Sequence, residues 1–397
     1  MAPPRPHPLA VSNAARHAAR ALEWSWSSGW NDKPALEPEA LWAIGSKGYA
    51  REDEISIRSV EDVADFRERL EVLCRSLREE ARLNALGHTM AYGQITGAIR
   101  KRHALGRLWR ERPGLAETGI APPIAVLGQM RAGTTRLQRL IAADPAHAGT
   151  RFCDSHNPLP RDPDLRPLRS RAALALARIV NPWLDTLHPF GATRTDEEIG
   201  WLSAALGACA FEAQWHIPTF VAHSEAGDPA PVYREFARIL RTDAGFHRNA
   251  QRPRVLKCPQ FSEDAATLVA QFPDARLVVA RRKPADTIAS AVSMVAAQSA
   301  FQSDSRDIAA IEAEWRRKTR LRDARLDAAL ADCDNAVAEV GFDDLNRDWR
   351  AAIRAVYEAL GMRLTAAALA AMEREARTAR SDAHHAHRGQ IRRFAEA

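Results

Sequence analysis

The chain has 397 residues, 46% apolar and 27% charged, and its 56 Lys and Arg against 50 Asp and Glu leave a net charge of +6. This is the composition of an ordinary folded globular chain, which excludes collagen-like, low-complexity and disordered classes. Five cysteines (Cys74, Cys153, Cys209, Cys258, Cys333) are odd in number and never spaced Cys-x-x-Cys, which argues against a disulfide scaffold or zinc cage and predicts a reducing, cytoplasmic setting. The basic residues are dispersed without an aromatic stripe, a pattern that argues against nucleic acid, while the small positive excess weakly favours an anionic ligand. The N-terminus has no apolar core of a signal peptide, and the apolar stretch at 172–180 is interrupted by Arg178 and too short to span a bilayer.

In chain order, Pro3, Pro4, Pro6 and Pro8 disfavour a helix before about Asn13. Val63, Phe66, Leu70, Val72, Leu73 and Leu77 recur at helical spacing and predict an amphipathic helix over 60–86; a second covers 89–110. Residues 1–118 read as a helical extension. The apolar run 124–127 between Pro123 and Gly128 predicts a buried parallel strand, followed by a helix over 133–143. Residues 150–153 resemble a second strand, 159–167 are a Pro-rich loop, and 167–247 form a helical insertion in which Trp183, Trp201, Phe211 and Trp215 read as core. Strands at 254–256 and 275–280 precede helices at 263–271 and 284–297. A last strand at 336–342 precedes helices at 348–360 and 365–378. Strands alternating with helices imply an α/β fold over 119–397: a P-loop-type parallel sheet flanked by helices.

The segment Gly128-Gln129-Met130-Arg131-Ala132-Gly133-Thr134-Thr135 has the strand–GxxxxG–helix spacing of a phosphate-binding loop. Glycines let backbone N–H groups close around an anion, the helix N-terminus adds partial positive charge, and Arg131 can bind phosphate oxygens in a bidentate fashion. Thr134 stands where nucleotide triphosphatases carry lysine, which argues against ATP or GTP hydrolysis and makes magnesium less necessary. A second anion site is predicted where the 275–280 strand runs into Arg281-Arg282-Lys283, with Ser290 eight residues beyond Arg282; ligands of open α/β sheets bind at C-terminal strand ends.

These two motifs together make the sequence resemble the sulfotransferases that use 3′-phosphoadenosine-5′-phosphosulfate (PAPS), and more narrowly their bacterial branch with a helical N-terminal extension. Further matches are Val255-Leu256-Lys257-Cys258-Pro259, Phe272-Pro273-Asp274-Ala275 and Phe342-Asp343-Asp344-Leu345. The resemblance implies that Arg131, Ala132, Gly133, Thr134 and Thr135 hold the 5′-phosphosulfate, and that Arg282 and Ser290 hold the 3′-phosphate. Lys257 would stabilise the bridging oxygen, and no metal is needed. Asp154 is the first choice for the base that deprotonates the acceptor, with His188 and His156 as competitors; Glu197 and Glu198 read as a solvated helix face. Ala132 replaces a hydroxyl residue, Lys283 an aspartate and Phe261 a frequent histidine, and 384–389 only loosely match the segment that closes over the donor. The expected activity is sulfuryl transfer to a hydroxyl or amine of a small-molecule, lipid or glycan acceptor. The alternatives are a P-loop small-molecule kinase and a nucleotide-binding module without chemistry. A homo-oligomer is compatible with the sequence.

Overall fold

The computed structural model describes residues 5–305 and 307–379; the segment at 384–389 lies outside them. Five strands, β1 (Ile124–Leu127), β2 (Ala148–Gly149), β3 (Arg254–Lys257), β4 (Arg276–Arg281) and β5 (Val337–Gly341), form one sheet in the order β2-β3-β1-β4-β5, and every pair is parallel. The α/β fold expected from the sequence is thus present. β1 carries no polar side chain and is buried along its whole length because helices cover both faces of the sheet. Ala125 and Leu127 face one apolar core with Leu256, Leu277, Phe236 and Phe261. Ile124 and Val126 face another with Leu137, Leu140, Ile353 and Tyr357, as the two-residue period of a strand requires.

The chain leaves β1 toward β2 and β3 on one side and then crosses to β4 and β5 on the other, so the order reverses at β1. Such a reversal opens a crevice at the carboxyl ends of the central strands. Val126 sits in register with both Lys257 and Val278, which brings the end of β3 beside the loop that leaves β1.

The N-terminal helices Val60–Glu79 and Ala85–Glu111 share a core with Leu206, Phe211, Trp215 and Phe220 of the insertion, while Leu105 and Trp109 reach the core against the sheet. Trp201, Phe211 and Trp215 are buried as expected, whereas Trp183 is only half-buried. Two sequence readings need correction. The helix predicted over 60–86 ends at Glu79, because Arg82 takes a positive φ of 45° and Asn84 caps a new helix by accepting from the Gly87 N–H at 2.9 Å. The strand predicted at 150–153 is displaced to Ala148–Gly149, and Phe152–His156 is a short helix. The long helix Ile308–Ala331 has no counterpart among the elements read from the sequence, because Lys318, Thr319 and Arg322 interrupt the apolar period on the face that buries Trp315 and Leu326.

That face carries Lys318 and Arg322, both buried. Lys318 Nζ lies 2.8 Å from Glu263, 3.0 Å from Glu212 and 2.7 Å from Glu225, and Arg322 Nε lies 3.1 Å from Glu263. Removing one partner from such a set strands desolvated charge, typically at a cost of about 3–5 kcal/mol. Glu263→Ala is therefore expected to lower the unfolding free energy by an amount in that range, read as a lower urea midpoint at unchanged slope, whereas an exposed control, Glu312→Ala, leaves the free energy within about 0.5 kcal/mol.

Candidate active site

The loop from Gly128 to Thr135 has a backbone that demands its glycines. Gly128 has φ of 133°, and a Cβ there would lie 2.6 Å from the Ala280 carbonyl oxygen. Gly133 has φ of 89° and opens the helix Thr134–Ala142; a Cβ would lie 3.0 Å from the Phe342 ring. Arg131 itself takes a positive φ of 71°, a conformation uncommon for a residue with a side chain. The Gly128 N–H is anchored on Ser262 Oγ at 2.7 Å. Ala132 belongs to the apolar cluster behind the loop with Leu137 and Leu345, so its departure from the expected hydroxyl residue exchanges a core atom and does not remove a donor from the loop.

Two sequence motifs far apart in the chain meet here. Arg131 donates from Nε to Ser290 Oγ at 2.9 Å, and Arg282 donates from Nη1 to the Arg131 carbonyl at 2.7 Å. The Arg282 guanidinium lies over the Phe342 ring at 4.1 Å. Burial first, then the neighbouring Arg282 charge, pulls the Arg131 pKa down to about 10, the behaviour of a cation placed beside a like charge out of water. The three consecutive basic residues divide: Arg281 pairs with Asp327 and Glu339 at 2.7 and 3.0 Å, Lys283 is exposed, and Arg282 alone turns to the loop.

Lys257 is buried at the end of β3. Its Nζ lies 3.4 Å from Thr135 Oγ1 and pairs with the Glu197 carboxylate. The Glu197 position corrects the expectation of a solvated face, and the cause is backbone pairing. On leaving β2, the chain bonds to 192–196 instead of continuing the sheet: Phe152 and Cys153 N–H donate to the Arg194 and Ala192 carbonyls, each at 2.9 Å, and Asp196 N–H donates to the Thr150 carbonyl at 2.9 Å. This strap carries Glu197 and Glu198 onto the end of β3. Lys257 N–H donates to Glu198 Oε2 at 2.6 Å, and Glu198 N–H donates back to the Lys257 carbonyl at 3.3 Å. Glu198 is fully buried, and its burial raises its pKa to about 8 against the lowering effect of the Lys257 N–H.

Asp154, the first choice for the base, sits in a buried ionic cluster. Its carboxylate is buried against Arg151 at 2.6 Å, Arg166 at 3.2 Å and His247 at 3.3 Å. Burial would raise its pKa, but His247, Arg151 and Arg166 outweigh that and hold it below the usual carboxylate range. A carboxylate stabilised in this way has a reduced drive to accept a proton. His188 bonds through Nε2 to Asp196 at 3.0 Å, one residue from Glu197, and Arg139 reaches Asp196 at 3.6 Å. His156 is exposed and packs on Phe152 at 4.4 Å. Among the described residues, two sets bring carboxylate and imidazole ligand atoms together, Asp154–Asp243–His247 and His188–Asp196–Glu197. Each already neutralises nearby cations: Arg151, Arg166 and Arg254 in the first, Arg139 and Lys257 in the second. A cavity of about 440 Å³ is lined by Trp215, Val221, Val295 and Trp315. It continues the apolar cluster to which the loop residue Met130 belongs.

Residues 122–366 match the model of the sulfotransferase family. The chain belongs to that family. The crystal structure of sulfotransferase STF1 from Mycobacterium tuberculosis H37Rv is similar with a TM-score of 0.78 and 26% identity, covering 92% of this chain and 100% of that one. Sulfotransferase STF9 from Mycobacterium avium shares the fold with a TM-score of 0.76 at 19% identity, over 89% of this chain and 90% of that one. Coverage of this extent includes the N-terminal helices as well as the sheet. No protein with a curated description matches the chain.

The Glu198 clamp makes a pH prediction. A carboxyl whose folded pKa is raised above its unfolded value contributes stability below the unfolded pKa and loses it as pH rises through the folded one. Wild type is expected to lose stability relative to Glu198→Gln between about pH 5 and about pH 8, measured by urea unfolding at each pH. A difference independent of pH would place the Glu198 proton elsewhere.

Proposed function

We propose that this sulfotransferase-family chain transfers a sulfuryl group from PAPS to a hydroxyl-bearing acceptor. The observation that carries the reading is the meeting of Arg131, Arg282 and Ser290, from motifs separated by some 150 residues, within 2.9 Å contacts. A donor with phosphate groups at both ends of a nucleoside uses two such anion sites, whereas ATP uses one. On this reading the Gly128–Gly133 loop, Thr134, Thr135 and Arg131 take the 5′-phosphosulfate, and Arg282 and Ser290 take the 3′-phosphate, while the Phe342 ring beside Arg282 offers a face for the base.

In the transfer step the acceptor oxygen forms a bond to sulfur as the bond from sulfur to the bridging phosphate oxygen breaks. The departing electron pair stays on that oxygen, and the acceptor proton must go to a base. Lys257, buried and 3.4 Å from Thr135, is placed to stabilise the bridging oxygen. Glu197, which pairs with Lys257, takes the role of base in place of Asp154. When Lys257 turns to the donor, Glu197 is released from its ion pair and is free to accept the proton. His188 and Asp196 orient the strap that carries Glu197, and this leaves His188 a positioning role.

The test follows transfer from radiolabelled PAPS across a panel of alcohols and phenols. Lys257→Ala is expected to lower kcat by roughly 10²–10³-fold while binding of the bisphosphate product is kept. Glu197→Gln is expected to lower kcat by roughly 10²–10⁴-fold and to remove the acid limb of the kcat–pH profile. Asp154→Asn should lower the melting temperature yet leave kcat of the folded fraction within about threefold. Magnesium-dependent turnover of ATP, with no transfer from PAPS, would contradict the assignment.

A further inference from the structure

We infer that the helix Arg166–Val180 is an interfacial helix that docks the protein on an anionic membrane surface. This helix is buried on one face and turns a row of aliphatic side chains to solvent on the other, where a helix at the edge of a globular fold normally carries polar residues. Leu174 points into the protein and is buried, as are Arg166 and Ser170 beside it. On the opposite side, Leu165, Leu168, Leu176 and Ile179 are 47%, 64%, 63% and 64% exposed. At the helical pitch these four, with the exposed Ala172 between them, fall within about 80° of one another. Single exposed leucines are common on any surface, but four large aliphatic side chains in one unbroken stripe are not.

Charge selects the occupant. The helix carries four arginines and no Asp or Glu. Arg166 is committed to Asp164 and Asp154, and Arg178 to Asp185. Arg169 and Arg171 stand exposed, one on each flank of the stripe. An apolar stripe bordered by basic residues is the chemistry of a helix lying in the headgroup region, with its aliphatic side chains at the acyl boundary and its guanidiniums on lipid phosphates. A second copy of the chain is the poorer occupant, because a twofold contact through this face sets the same uncompensated arginines against each other. The adjoining helix Asn13–Ser27, joined to this one by Ser12 Oγ donating to the Val180 carbonyl at 2.6 Å, leads to Trp24 and Trp30, which are 58% and 74% exposed. Among the described residues no helix is long and apolar enough to cross a membrane, so the attachment is peripheral.

Co-sedimentation with vesicles tests the inference. The full chain should bind phosphatidylcholine vesicles containing phosphatidylglycerol, bind phosphatidylcholine alone at least about tenfold more weakly, and dissociate as salt rises. Leu176→Glu with Ile179→Glu should weaken binding by about tenfold or more. The independent pair Arg169→Glu with Arg171→Glu should do the same, and both variants should keep the melting temperature and the bisphosphate affinity of the wild type. Absence of wild-type binding to the anionic vesicles would overturn the inference, as would binding that neither pair weakens. A dimer seen by light scattering that Leu176→Glu with Ile179→Glu dissociates, without vesicle binding, would assign the stripe to a second copy.

Discussion

Two guanidiniums forced together at the carboxyl end of a sheet organise the rest of this structure. Arg131 is held at a positive φ by the loop and reaches Ser290, while Arg282 is tied to the Arg131 carbonyl. Burial and the charge of its neighbour lower the pKa of Arg131 to about 10, so the fold works against two like charges at this point. A polyanion bound there, as the proposed function requires, would relieve that repulsion, and the helix N-terminus at Thr134 would add to the attraction. The glycines follow from the same constraint, since a Cβ at Gly128 would collide with the neighbouring strand and one at Gly133 with the Phe342 ring.

The catalytic side of the crevice depends on a strap, not on the sheet. β2 is only two residues long, because the chain after it pairs with 192–196. That exchange shortens the edge strand and delivers Glu197 and Glu198 to Lys257. One carboxylate faces the ammonium and the other holds the lysine backbone, so the three side chains are positioned as one unit. The ionic cluster of Lys318, Arg322, Glu212 and Glu263 lies under the same region, with Gln129 of the loop donating to the Thr319 carbonyl at 2.9 Å and to Asp323 at 2.9 Å. Charged side chains replace apolar packing where the helix supports the loop.

Local signals carried much of this architecture. β1, β3 and β4 are short apolar runs with turn residues on both sides, so these strands were legible, whereas the strand order and the two-residue β2 were not. Lys257 was legible because a motif surrounds it. Long-range pairing was not legible. Asp154 looked like a base because it follows a strand-like run, yet its neighbours Arg166 and His247 are brought in by the insertion. Glu197 and Glu198 looked solvated because charged pairs usually are, and only the backbone ladder with 150–153 turns them inward. The helix Ile308–Ala331 escaped for a related reason: burial of lysine and arginine erases the apolar period on which helix recognition rests.

On the proposed function, Arg131, Arg282 and Ser290 form one site for a doubly phosphorylated nucleotide. Calorimetric titration of adenosine 3′,5′-bisphosphate into the wild type and into Arg282→Ala, with chelator in place of magnesium, tests it most directly. The account predicts saturable, metal-independent binding to the wild type and an affinity at least about tenfold lower in the variant, while adenosine 5′-monophosphate, which has no 3′-phosphate, distinguishes the two proteins far less. Equal affinity of both proteins for the bisphosphate, or binding only in the presence of magnesium, would contradict it.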